Sequence, residues 1–117
     1  MKCGDLVVNG RVVARCERAE SVGERMKGLI GRRELAGAMW LEPATGVHTM
    51  FMRIQIEVAF LDGDGKVLRV VRMRRWHTGI SMRRSRAVVE AAVGSMAKWN
   101  ILPGATVTYR ALTERLS

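Results

Sequence analysis

The sequence predicts an α+β domain that is mainly β. The expected form is a compact sandwich or barrel of six to eight short, mostly antiparallel strands with two short helices. Three observations lead there. Runs rich in strand-favouring residues are short and are separated by turn signals at Asn9-Gly10, "DGDG" (Asp62 to Gly65) and Pro103-Gly104. Only two short segments carry helical signals. Strict alternation of strand and helix, the mark of a parallel sheet, is missing. The 117 residues suit a single domain, with a core over residues 5–110 and a frayed tail over 111–117.

Each element follows from a local signal. "DLVVNGRVVARCE" predicts a hairpin, because two β-branched runs flank Asn9-Gly10, a pair that tolerates the positive φ angles of a tight turn. Ser21, with Glu24 three positions later, reads as a capping box, and Met26, Leu29 and Ile30 follow at helical spacing. A short helix is expected from Val22 to Ile30, stopped by Gly31, with a further turn from Arg33 to Leu35. "GAMWLEP" predicts a short strand closed by Pro43. Ile54–Leu61 and Lys66–Met73 flank "DGDG" and form a second hairpin. "TGISMRRSR" reads as a loop, "AVVEAAV" as a strand, "GSMAKWNI" as a short helix and "TVTYRAL" as the last strand.

Composition narrows the function classes. With 48% apolar residues the chain can build a core without disulfides or metal, and it lacks the composition of a disordered chain. Cys3 and Cys16 are the only cysteines and are expected to be free thiols, although both fall in the first hairpin, where a bridge is conceivable. The opening "MKCGDLVVNG" has no apolar stretch of secretory length, and no apolar run approaches the roughly 20 residues that span a bilayer. A cytoplasmic location is the expectation. The net charge is +9, and sixteen of the twenty basic residues are Arg. Such a balance favours anionic partners, RNA or an acidic protein among them, but a basic surface carried for solubility accounts for it equally well.

The stretch "HTMFMRIQIEVAFLD", from His48 to Asp62, threads polar residues through an apolar strand. Met50, Met52, Ile54, Ile56, Val58 and Phe60 share one parity and make a core face. Thr49, Arg53, Gln55 and Glu57 share the other, which is either a solvated face or the wall of a site. Arg53 and Glu57 are four residues apart, about 13 Å on a straight strand. They cannot bridge each other and must hold separate partners or flank a ligand. His48 stands on the core parity, where a hydrogen-bonded structural role competes with a ligand role. Cys3, Cys16, His48 and His77 lack the close paired spacings of a zinc site, so no metal is expected, and no cofactor fingerprint is present. Glu57 and Glu90 lie in apolar runs, "QIEVAF" and "VVEAAV". Each must be ion-paired or solvated, or serve as an acid or base of raised pKa.

The segment from Arg69 to Arg86 has no acidic residue. It carries Arg69, Arg72, Arg74, Arg75, Arg83, Arg84 and Arg86, with Trp76 and His77 among them. Arginines with an aromatic are what a phosphate-backbone binder offers. The competing reading is a solvated strand face and loop, with the charges split over two faces. No RRM, KH or helix-turn-helix pattern accompanies it.

"ERMKGLIGRREL", "GAMWLEP", "VHTMFMRIQIEVAFLDGDGKVLRVV" and "VVEAAVG", in this order and spacing, resemble the domain-of-unknown-function family 192, a group of small uncharacterised prokaryotic proteins. The resemblance covers residues from Ser21 to Val107 and implies a compact, mostly-β domain without supplying a reaction. The matching positions are Arg25, Gly28, Leu29, Gly31, Arg32, His48, Thr49, Met52, Arg53, Phe60, Glu90 and Gly94. The chain departs from the family pattern at Gln55 and Glu57, where the family has a Pro-x-Asp turn. It departs again at Phe51, where a small residue is common, and at Gly104-Ala105, where the family has Gly-Asp. The resemblance implies one polar cluster in which His48, Thr49, Arg53 and Glu57 join Arg25, Arg32 or Glu90.

Three functions are open on these grounds. The leading one is a non-catalytic binding or accessory module with a polar pocket drawn from Arg25, Arg32, His48, Thr49, Arg53, Glu57 and Glu90. The second is a binder of RNA or another polyanion through the 69–86 segment. The third is a small hydrolase or transferase using His48 with a Glu.

Overall fold

A computed structural model describes residues 2–19, 37–43, 46–47, 55–74 and 80–112, and every structural statement below concerns these residues. The predicted helix Val22–Ile30, the turn Arg33–Leu35 and the tail beyond residue 112 lie outside them.

The main body is a seven-stranded mixed sheet. Its strands are β1 (Lys2–Val8), β2 (Arg11–Ala19), β3 (Ala38–Leu41), β5 (Ile56–Leu61), β6 (Val67–Met73), β8 (Ala87–Ala92) and β9 (Val107–Ala111), in the spatial order β6-β5-β8-β3-β2-β1-β9. All neighbours are antiparallel except β2 and β3, which pair parallel with Cys16 opposite Ala38. Two short strands, β4 (Gly46–Val47) and β7 (Ile80–Ser81), form a separate antiparallel pair. One short helix, α1 (Ser95–Lys98), follows β8. The expected loop "TGISMRRSR" therefore contains β7. Two residues are too few to show a period, so neither β4 nor β7 could be read as a strand.

The hairpin turns form as their dipeptides predict. Asn9 (φ 50°) and Gly10 (φ 83°) both adopt left-handed backbone, which suits a two-residue turn between Val8 and Arg11. The tip is also tied down, since Asn9 exchanges backbone and side-chain hydrogen bonds with Thr106 at 2.8 and 2.9 Å. In the second turn the Asp62 carboxylate accepts from the backbone N–H groups of Asp64 and Lys66, both at 2.9 Å. Those two donors, Lys66 first, hold its carboxyl below the usual carboxylate range.

The sheet curls far enough for its two edge strands to meet at one end. Val67 donates to Ala105 O (2.8 Å) and accepts from Gly104 (2.9 Å), Val107 donates to Gly65 O (2.8 Å), and Lys66 bridges Thr106. Gly65 makes this approach possible. Its φ is 82°, and a Cβ there would stand 2.6 Å from the Val107 carbonyl oxygen.

Both faces of the central strands are buried. One face packs Leu6, Val8, Cys16, Trp40, Ala59, Leu61, Val67, Val89 and Val107 with Met96, Trp99 and Ile101 from α1 and its continuation. The other packs Met39, Leu41, Ile56, Val58, Phe60, Met73 and Val88. The parity reading of β5 holds for Ile56, Val58 and Phe60. The opposite parity is wet only at its start, where Gln55 is exposed and Glu57 half-buried, whereas Ala59 and Leu61 are fully buried. Cys3 and Cys16 are both free. The register sets Cys16 opposite Gly4 and Cys3 opposite Glu17, so the two thiols hold positions of opposite parity.

Glu57 fixes α1 in place. Its Oε1 accepts from the backbone N–H of Gly94 (2.9 Å) and of Met96 (3.1 Å), at the start of the helix. A carboxylate there satisfies donors that have no intrahelical partner. Arg72 Nη2 lies 4.0 Å from Oε2, with its own side chain 61% exposed. Replacing Glu57 by Ala should cost about 1–3 kcal/mol in urea denaturation, because two backbone donors lose their acceptor. Arg72→Ala should change stability by less than about 0.5 kcal/mol, since the ion pair is long and wet. Gly65→Ala should cost about 2 kcal/mol or more, because strained backbone is compounded by the Val107 contact. Gly10→Ala, at a turn with open space around the Cβ position, should cost about 1 kcal/mol from backbone alone.

Candidate ligand site

The two acidic residues singled out in the apolar runs turn out to hold unlike positions. Val58 stands opposite Glu90 in the β5–β8 register and Glu57 stands opposite Ala91. Residues directly opposite share a face, so Glu57 and Glu90 project from opposite sides of the sheet. Glu57 therefore does not share a wall with Glu90. Its carboxylate is engaged by the start of α1, a backbone role that sequence reasoning missed.

Glu90 is the unusual group. It sits at the middle of the three-strand unit β5-β8-β3, between Val58 and Met39, on the face that also carries Ile56, Phe60, Val88 and Leu41. It is 3% exposed. No hydrogen bond or ion pair from another described residue reaches its carboxylate. Burial pushes the carboxyl up to about 7 from an ordinary 4.5. An Arg–Glu ion pair was one expectation for this residue. Among the described residues it has no such partner, and the raised acid is the alternative that its surroundings produce. Arg25, Arg32, His48, Thr49 and Arg53 lie outside the described residues.

The basic segment is divided. Arg69 stands opposite Phe60 and Arg72 opposite Glu57, so these two project from different faces of β6. Arg72 and Arg74 flank the Met73 end of β6, beside Ile56. Arg83, Arg84 and Arg86 lie before β8 at the other end, where Arg86 N–H donates to Leu61 O at 2.7 Å. Those ends are about 17 Å apart along β5. The Arg86 guanidinium is turned onto its own loop, reaching Ser85 O at 3.2 Å and Arg83 O at 3.5 Å. All six arginines are exposed. Arg75 and Trp76 lie outside the described residues.

Two clusters have no counterpart among the sequence candidates. Asp5, 1% exposed at its side chain, lies 3.6 Å from Arg110 Nη2 and stands opposite both Arg15 and Arg110 in the register. Glu42 takes a hydrogen bond from Trp40 Nε1 (3.1 Å) and an ion pair from Arg18 (3.4 Å). The Arg18 guanidinium also lies 5.7 Å from the Tyr109 ring centre. Asp5 at the head of "DLVV" and Arg110 within "TVTYRAL" carried the only signal, a charge at the end of an apolar run. A shallow cleft of about 200 Å³ opens by Cys3, Arg15, Cys16, Glu17 and Ala38. Burial, with Glu17 and Asp5 nearby, pushes the Cys16 thiol up to about 12. A thiol raised in this way is protonated at neutral pH. Among the described residues no three His, Cys, Asp or Glu side chains converge to hold a metal ion. No helix among them is long and apolar enough to cross a membrane.

Comparison with known proteins agrees with this architecture. A crystal structure of a protein of unknown function from Novosphingobium aromaticivorans DSM 12444 superposes with a TM-score of 0.78 at 25% identity, covering 89% of this chain and 83% of that one. A second, from Sinorhizobium meliloti 1021, carries a provisional assignment as a transcription regulator. It superposes with a TM-score of 0.76 at 20% identity, covering 92% of each chain. No curated protein matches the chain. The family model of DUF192, described as an uncharacterised ACR family, matches residues 6–109, and the chain belongs to that family.

Proposed function

We propose that this chain is a non-catalytic binding module whose ligand site lies on the sheet face that carries Glu90. The observation behind this reading is a buried carboxyl set among apolar side chains of three adjacent strands, without a partner among the described residues. A fold gains nothing from such a group unless something satisfies it. In this reading Arg25, Arg32, His48, Thr49 and Arg53 complete the wall around Glu90, while Glu57 belongs to the scaffold. The scaffold itself we read as a barrel closed at the Lys66–Thr106 seam. A buried carboxyl in a wall that also holds arginines suits a small ligand with an acid group for the arginines and an amine or guanidine for Glu90.

The RNA or polyanion reading is less well supported, because its arginines divide between two ends and two faces of the sheet. The provisional regulator assignment belongs to a protein 20% identical to this one, a likeness that extends to fold alone. The hydrolase or transferase reading depends on His48.

Three measurements test the proposal. The folded Glu90 carboxyl holds its proton up to about pH 7, whereas the unfolded one releases it near 4.5. Between those values the folded state binds more protons, so stability falls as pH rises, by about 3 kcal/mol in all, and is lowest above pH 7. Urea denaturation should show this slope in the wild type and lose it in Glu90→Gln. Next, a panel of small amines and guanidines that also carry an acid group should contain a compound that raises the melting temperature of the wild type but not of Glu90→Gln. A panel without such a compound overturns the reading. Finally, His48→Ala and Arg53→Ala should stay folded at room temperature. Unfolding of both would make the cluster a structural lock.

A further inference from the structure

The edge of β6 differs from the rest of the sheet. From Leu68 to Met73 the strand pairs with β5 on one side, and the seam to residues 104–107 reaches only as far as Val67. Along about 20 Å, alternate N–H and C=O groups are therefore directed away from β5 with no strand beside them among the described residues. Natural sheets blunt such edges with charge and bulges. β6 has both devices. The register slips between Phe60 and Leu61, and Arg69 and Arg72 stand on opposite faces with Arg74 just beyond. β6 itself carries no acidic residue.

These devices act selectively. A second copy of β6 laid alongside would set guanidinium groups from both chains against one another on each face, and like charges directly opposite are destabilising. A strand of acidic residues meets the reverse situation, because its carboxylates find an arginine whichever face they occupy. Arg69 opposes Phe60 and has no acidic partner among the described residues, and Arg72 is held only by the 4.0 Å contact to Glu57. The charges thus close the edge to self-association and leave it open to an anionic strand.

We propose that the Leu68–Met73 edge of β6 is a docking site for an extended acidic segment of a partner protein, which adds to the sheet as a further strand beside the exposed arginines. Backbone hydrogen bonds give such a complex its register, and the arginines give it its preference for acidic sequence. The proposal is independent of the Glu90 site, which lies on a strand two places in from this edge.

The test uses a fluorescent peptide of alternating Glu and Thr, titrated at low salt and followed by anisotropy. A second peptide of the same sequence carries N-methyl groups on successive backbone nitrogens, so that neither of its edges can donate. An RNA oligomer of matched charge is the third probe. The unmodified peptide should bind, and on binding the backbone amides between Arg69 and Met73 should become protected from hydrogen exchange. N-methylation should weaken binding by about tenfold or more. The double variant Arg69→Glu, Arg72→Ala should do the same, with its fold checked by circular dichroism. The neutral change at 72 avoids setting a second carboxylate against Glu57. Equal binding of the N-methylated peptide, or tighter binding of the RNA, would reduce the effect to general attraction of polyanions and overturn the proposal. Absence of peptide binding, or protection confined to amides outside β6, overturns it too.

Discussion

The seam between residues 65–67 and 104–107 is the constraint on which the rest of the structure depends. An open sheet of seven strands has two edges and two faces to cover, and a chain of this length has little left over to cover them. Bringing the edges together at one end turns one face inward, so that strands shield one another. Leu6, Trp40, Leu61, Val89 and Val107, from five different strands, then share a single core. Only a glycine at 65 lets the Val107 carbonyl come so close. Asn9 reinforces the seam from the first hairpin, so both tight turns meet the same short segment.

The inward face explains the division of labour between the two acidic residues of the central strands. Glu57 points to the side where α1 closes the core, and its charge is answered by backbone donors that need an acceptor. Glu90 points to the other side, and among the described residues it is surrounded by aliphatic and aromatic groups. Neighbouring register positions thus tie one carboxylate to backbone donors and leave the other buried among apolar side chains, although both are flanked by similar apolar runs. Glu57 accepts from two backbone N–H groups, whereas the charge on Glu90 is penalised by desolvation.

Much of this fold was legible in local sequence. Asn9-Gly10 and "DGDG" give both hairpins, "GAMWLEP" gives β3, and "AVVEAAV" with "GSMAKWNI" gives β8 and α1, because each is written in turn chemistry or short-range patterning. The parts that were not legible are non-local. Whether Ala59 faces water depends on α1, more than thirty residues away, and the partners of Glu57 lie at residues 94 and 96. Parity separates the two sides of a strand but does not say which of them will be covered. The short pair β4–β7 left no pattern at all. For the candidate site, the sequence marked Glu90 as costly without revealing which of its three possible fates applied. The basic segment looked continuous only because sequence adjacency hides that Arg72 and Arg74 stand at one end of β5 and the 83–86 turn at the other.

The position of β9 bears on how the chain comes to its fold during synthesis. β1 is flanked in the sheet by β2 on one side and by β9 on the other. β2 is available at once through a two-residue turn, but β9 emerges only after some ninety further residues. The β1–β2 hairpin therefore stands with one long edge unsatisfied until the segment at 104–107, which ties the sheet together, and β9 have been made. Folding of this domain is completed only once β9 has been made, and the nascent hairpin is the species that needs shielding until then.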